Sequence, residues 1–330
     1  MCLALIGSLI LDLSFGQVSI PIKDVFNTIF SSNTTHTTWD YIILNFRIPK
    51  AITAILVGIG LSISGLLMQT LFRNPLAGPY VLGLSSGSSL GVAFVILGSA
   101  YLPLSFNWIL LSNYSIVLAS CLGSLLVLGL VLLAIKKLRD TSMVLIVGLM
   151  FSSFSGAFIN ILSSFSSAEQ LQKYTFWSMG SIGNLTKSQL IILLICIIAG
   201  IIISLISIKS LDAMLLGENY AKSIGINISK SRMLIIIATA IFSGSITAFA
   251  GPIAFVGLAV PHMAKLLLQT SNHKILFIST IMIGSITMLL CDLISQMPGA
   301  NFTLPINAVT SILGAPIVIW LITNRKFYKN

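Results

Sequence analysis

From Asn74 to Ile135 the chain passes without a single Asp, Glu, Lys, Arg or His side chain. Five more stretches, Ala51 to Phe72, Thr141 to Ser163, Leu190 to Ile208, Met233 to Ala250 and Ile275 to Cys291, are also free of Asp, Glu, Lys and Arg. About 20 apolar residues cross a bilayer core as a helix. Runs of this kind therefore predict an all-α integral membrane protein. A composition of 56% hydrophobic and 8% charged residues, with a mean hydropathy of +1.03, agrees with that class and excludes a soluble core.

Each of the five shorter runs predicts one span. Pro103, Asn107 and Asn113 divide the long interval into spans near Val81 to Ala100 and Ser115 to Ile135. A shorter piece runs from Gly251-Pro252 to Ala264, and a last one from about Thr303 to Thr323. With the N-terminal run Met1 to Leu13, this makes about ten helices in one transmembrane domain over residues 1–330. The first run is short for a span. It is expected to be a transmembrane helix lacking its first turns; a signal peptide is the competing reading, but no small-residue cleavage motif follows.

The net charge of +10 does not point to nucleic acid, because the basic residues gather at the ends of apolar runs with no interleaved aromatics. It sets topology instead. Arg73, Lys136, Lys137, Arg139, Lys209, Lys222, Lys230, Arg232, Lys265, Lys274, Arg325, Lys326 and Lys329 fall on one side, and only Lys23, Arg47, Lys50, Lys173 and Lys187 on the other. The positive-inside rule then predicts both termini cytoplasmic, with 14–46 external and 209–232 cytoplasmic. Cys2, Cys121, Cys196 and Cys291 stand isolated in apolar sequence and imply neither disulfides nor a metal site.

The segment 209–232, KSLDAMLLGENYAKSIGINISKSR, is the polar island between two spans. Ser210 is placed as a helix N-cap and Gly217 and Gly225 as helix stops, which predicts two short helices outside the lipid. A folded charged loop in a membrane protein points to a grip on something in the water. The chain carries no phosphate-binding GxxxxGK motif, no HExxH, no nucleophile elbow and no carboxylate cluster for a membrane-embedded transferase, so no catalytic residue, cofactor or metal is expected. Asp292, flanked by apolar runs, reads as a helix-end cap or as an ion relay, and the second reading keeps a proton-coupled secondary transporter in play. His262 beside Pro261 reads as a helix-end polar contact facing the cytoplasm.

The strings RIPK (47–50), RNPLAGP (73–79) with LGLSSGSSLG (82–91), FWSMGS (176–181), LGENYAKSIGI (216–226), GPIAFVGLAVPH (251–262) and LPINAVTSILGAP (304–316) occur together in this order. In this the chain resembles the permease subunits of ABC importers for iron-siderophores, haem and cobalamin, from residue 14 to the C terminus. The resemblance implies a bacterial cell-membrane protein that works by alternating access with cytoplasmic ATPase subunits, a second permease subunit, the same or paralogous, and an extracellular or periplasmic binding protein. It makes the island the coupling helices, with Leu215, Leu216, Ala221 and Ile224 contacting the ATPase, Glu218 and Lys222 at the rim, and Gly217 and Gly225 as stops. It assigns Arg47 and Lys50 to docking the binding protein, with Gln296 where the cobalamin transporter carries a basic residue and Thr303 where an acidic one is common. These departures, together with the size of the siderophore group, place an iron(III)-siderophore first as cargo, haem second and cobalamin third. Gly58, Gly60, Gly65, Gly83, Gly87 and Gly91 predict close helix contact, and Ser85, Ser86, Ser88 and Ser89 are expected to line the pathway.

Overall fold

Small residues along Ile48–Leu71 decide how the bundle closes. Lipid offers no hydrophobic drive between helices, so close backbone approach at small side chains does the work of assembly. A computed structural model of the protein describes residues 1–30, 37–98, 113–137, 141–297 and 302–323. Its elements are α1 (Cys2–Ser14), α2 (Ile22–Phe30), α3 (Thr37–Ile42), a π turn (Ile43–Arg47), α4 (Ile48–Leu71) and, after a 3-10 turn at Pro79–Leu82, α5 (Leu84–Ile96). They continue as α6 (Asn113–Lys137), α7 (Thr141–Ser164), α8 (Ala168–Ser178), α9 (Lys187–Leu215), α10 (Glu218–Ser223), α11 (Ile228–Ala250), α12 (Val256–Leu268), α13 (His273–Ser295) and α14 (Ile306–Thr323). No strand occurs among the described residues.

Helix α4 is the axis of the bundle and packs against α9, α11, α12 and α13. At Gly58 an added Cβ would sit 2.3 Å from the Gly284 carbonyl oxygen of α13, and at Gly65 only 1.6 Å from that of Gly257 on α12. The expected close contact of the glycine faces is therefore present, and at these two positions any side chain would collide with backbone. Helices α5, α6 and α7 form a peripheral layer, and α6 and α7 turn most of their apolar surface outward.

Six helical runs are long and apolar enough to span a bilayer, and α1, α5, α12 and α14 are shorter apolar helices, so the expected set of about ten is present among the described residues. The boundaries differ from the hydropathy runs. Helix α9 does not stop at Ile208 but continues to Leu215. The expected first short helix of the island is thus the last two turns of a transmembrane helix. Ser210 caps nothing; its hydroxyl donates to the Ser207 carbonyl at 2.8 Å inside that helix. The start of α9 does carry a cap, the reciprocal pair Thr186 and Gln189. The RIPK string lies within a continuous helical run, which passes through Pro49 by widening to the π turn that precedes it. Pro103, Asn107, Ala100, Arg139, Arg325, Lys326 and Lys329 lie outside the described residues.

Candidate functional site

Helices α4 and α13 run antiparallel and in contact, and chemistry collects at both of their ends. At one end stands the island. After α9 the chain turns at Leu216 and Gly217 (φ +123°), forms the six-residue α10, turns again at Gly225 (φ +83°) and enters α11 under an Asn227 cap on the Lys230 amide. Leu215, Leu216, Tyr220 and Ile224 are exposed, Leu216 at 70%, and the last three are four apart in sequence. Four large apolar side chains held together in a charged segment form a surface suited to burial against another protein. Tyr220 was not singled out by sequence, although its spacing from Leu216 and Ile224 marks it. Ala221 corrects an expectation: it is fully buried within the chain and anchors α10 from beneath, so it is not a contact for a partner. Glu218 pairs with Arg232 across the turn, and Lys222 is exposed beside the apolar residues.

Beneath that surface lies a polar clamp. Asp212 Oδ1, on the last turns of α9, accepts from His273 Nδ1 at 2.6 Å and from the His273 backbone amide at 3.1 Å. The other ring nitrogen, Nε2, is 2.9 Å from the Thr70 hydroxyl at the end of α4. Arg73, two residues past α4, donates to the Met214 carbonyl at 2.6 Å. His262 lies in the middle of α12 rather than at its end, and its Nε2 stands 2.7 Å from the Pro75 carbonyl. Residues 70–75 thus tie α4 to α9, α12 and α13. Nothing in sequence spacing joins positions 70, 212 and 273.

At the opposite end, Lys50 on α4 pairs with the fully buried Asp292 on α13 at 2.7 Å. Gln296 Nε2 donates to Asp292 Oδ2 at 3.2 Å and to Asp12 Oδ1 at 3.3 Å, which brings in α1. Arg47 donates to the Leu13 and Val18 carbonyls and lies close to Asp12. Two basic side chains and two carboxyl groups are therefore gathered in one place, where pairing and hydrogen bonds offset the cost of burial. Asp12 was missed by sequence; a carboxylate within an apolar helix was the available signal. Three of the expected docking residues belong to this cluster. Arg47 and Gln296 are buried and Lys50 is paired with Asp292, and all three border a cavity. Asp292, at the end of α13, is the ion-pair partner of Lys50.

Above the cluster opens a cavity of about 820 Å³, lined by Arg47, Lys50, Asp292 and Gln296 together with Phe176, Met179, Thr303 and Leu304. Three of the sequence strings are knitted together at its wall. The Ser181 amide donates to the Ala250 carbonyl at 2.8 Å, the Ala254 amide to Asn307 Oδ1 at 3.0 Å, and the Asn307 amide to the Met179 carbonyl at 3.3 Å. The irregular backbone of 251–255, between α11 and α12, is thereby satisfied inside protein. A second cavity of about 480 Å³ adjoins at Phe176, Ser181 and Asn184.

The serines of α5 line neither cavity. Ser88 is fully buried against α6, bonded to the Ser120 carbonyl and to Ser124, while Ser85 faces Ser243 of α11 at 3.4 Å and Ser89 meets Tyr174 of α8. Ser88 is thus helix-packing material and not pathway lining; Ser86 is half-buried beside it. No group of three or more His, Cys, Asp or Glu side chains suited to a metal occurs among the described residues, and the four cysteines are free thiols.

Comparison with known proteins gives this arrangement a context. The chain matches the FecCD transport family over residues 4–324. It is 32% identical over 302 residues to the hemin transport system permease protein of Yersinia pestis, covering 91% of this chain and 88% of that one. It is 33% identical over 277 residues to the vitamin B12 import system permease protein of Salmonella typhi, covering 84% and 82%. A solved ABC transporter described as of the metal-chelate type, in an inward-facing conformation, superposes with a TM-score of 0.83 at 27% identity, covering 98% of this chain and 97% of that one. A helical bundle of this shape, matched nearly end to end, places the chain in the FecCD transport family as an ABC importer permease.

Proposed function

We propose that this permease carries an iron(III)-siderophore complex across a bacterial cell membrane by alternating access, driven by a separate ATPase that seats on the Leu215, Leu216, Tyr220 and Ile224 surface. The observation that carries the reading is that surface itself: a membrane subunit with no nucleotide-binding motif presents exposed apolar residues on a short, internally braced helix and the turns that flank it. Glu218 and Lys222 border it, and Gly217 and Gly225 set the turns that present it. The distribution of Lys and Arg supports a cytoplasmic position for this end and for both termini. The cavity of about 820 Å³ then opens outward, where an external binding protein would deliver cargo, with a second permease subunit, the same or paralogous, completing the pathway. The rim of that cavity, whose wall includes Arg47, Lys50 and Gln296, is the surface proposed to receive the binding protein.

The metal-chelate description of the structural neighbour supports an iron chelate as cargo. Haem is the second reading, favoured by the Yersinia pestis relative, and cobalamin the third. The discriminating experiment reconstitutes the permease with its ATPase and binding protein in proteoliposomes and offers radiolabelled ferric siderophores, haem and cobalamin in turn. ATP-dependent uptake of a ferric siderophore alone is the expected result, and uptake of haem or cobalamin instead would replace the cargo reading.

A further inference from the structure

We infer that the α4–α13 pair is the element through which movement at the Leu215–Ile224 surface reaches the cavity, with Thr70 and His273 as its positioning residues. The inference rests on the reading of that surface as the ATPase seat. Its first link is local. Helix α10 cannot move independently of the end of α9, because Ala221 is buried beneath it and only Leu216 and Gly217 separate the two helices. The end of α9 is in turn fastened to both members of the pair, to α13 through Asp212 and His273 and to the end of α4 through Arg73 and the Met214 carbonyl.

His273 makes the joint three-way. An Asp212 oxygen accepts, so Nδ1 carries the proton, and in the neutral ring Nε2 accepts from the Thr70 hydroxyl. One imidazole therefore satisfies α9 on one side and α4 on the other. Halfway along, Gly58 and Gly284 bring the backbones of α4 and α13 into contact, and close-packed interiors of this kind move as bodies rather than deform. From Thr70 to Lys50 the rod is roughly 30 Å long at 1.5 Å per residue. Its far end is pinned by the Lys50–Asp292 pair, and both of those side chains line the cavity. A displacement of α10 thus arrives at the cavity through the end of α9 and the α4–α13 pair, without passing through the peripheral helices α5 to α7.

The test uses the full transporter in proteoliposomes, with whichever of the radiolabelled cargoes the wild type takes up. Three variants dissect the joint. His273→Gln places an amide near Nε2 and loses the side-chain bond to Asp212 while the backbone bond remains, His273→Asn keeps a donor near Nδ1 and loses the Thr70 bond, and Thr70→Val removes one hydroxyl without changing side-chain size. Each is expected to assemble with the ATPase and to hydrolyse ATP at the wild-type rate. The ATP consumed per cargo molecule should rise about fivefold or more in His273→Gln, in line with ordinary coupling energies. The rise should be smaller in His273→Asn and Thr70→Val. An unchanged ratio in all three assembled variants would overturn the inference, as would loss of coupling in Arg232→Met alone, which would route the movement through α11. Leu216→Arg tests the underlying reading separately: if the ATPase still co-purifies, the seat is elsewhere, whatever the clamp variants show.

Discussion

The two ends of the α4–α13 pair face the same difficulty, polar groups inside an apolar bundle, and resolve it differently. At the Lys50–Asp292 end Asp12, Arg47 and Asp292 are buried beside the half-buried Lys50, with Gln296 bridging the two carboxyl groups. At the Thr70–His273 end two charged side chains, Asp212 and Arg73, are met by imidazole and backbone groups and the Thr70 hydroxyl rather than by each other, beside an exposed apolar surface. Removing one member of an ion-paired cluster leaves a charge without its partner, whereas a joint of several hydrogen bonds can lose one and survive. The first kind of site holds an architecture in place, and the second can serve as a hinge.

Breaking the cluster should therefore cost most. Asp292→Ala leaves Lys50 and Arg47 against Asp12 alone and is expected to destabilise the detergent-solubilised protein by about 3–5 kcal/mol, read by thermal unfolding. The double variant Lys50→Met with Asp292→Leu should recover much of that loss, because a well-packed apolar pair replaces the ion pair. Recovery would sharpen the contrast, and a double variant as unstable as the single would mean that the ion pair is not where the energy lies.

The packing between the ends comes next. Gly65→Ala drives a methyl group into the Gly257 carbonyl and should cost about 1–3 kcal/mol, or block folding if neither helix can shift. Gly129→Ala is the control, since nothing lies within 4 Å of its added methyl, and its expected effect is within about 0.5 kcal/mol. Equal effects at the two positions would remove backbone contact as the reason for the rod's stiffness.

These contrasts mark what was legible in the sequence. The spans could be read because hydropathy reports where lipid lies. Helix ends could not, because α9 carries Lys209 and Asp212 out into water without unwinding. The island was correctly read as folded and as turning at Gly217 and Gly225, yet its first helix belonged to α9 and its Ala221 pointed inward. The charge cluster was invisible for another reason. Arg47 and Lys50 looked like surface residues because isolated charges usually are, and only the fold brings Asp12 and Asp292, 280 positions apart in the chain (292 − 12), to meet them. Ser88 of α5 packs against α6, because a small hydroxyl residue suits helix packing as well as it suits a pathway.

At the hinge end the expected stability effects are smaller. Thr70→Val should cost about 1 kcal/mol, the ordinary worth of one hydrogen bond, measurable as a modest fall in melting temperature. Leu216→Arg should leave melting of the isolated permease within about 0.5 kcal/mol of wild type, because the side chain is exposed. A large loss of stability there would mean that the surface is internal structure and not a seat for a partner.

The most direct test of the account is contact at that surface. Leu216→Cys, carrying a thiol-linked photo-crosslinker, is placed in the assembled transporter and illuminated, and the adducts are identified by mass spectrometry. The account predicts a crosslink to the ATPase subunit that is absent when the same group is placed at the cavity residue Phe176. Adducts with lipid or with the external binding protein at Leu216, and none with the ATPase, would contradict it.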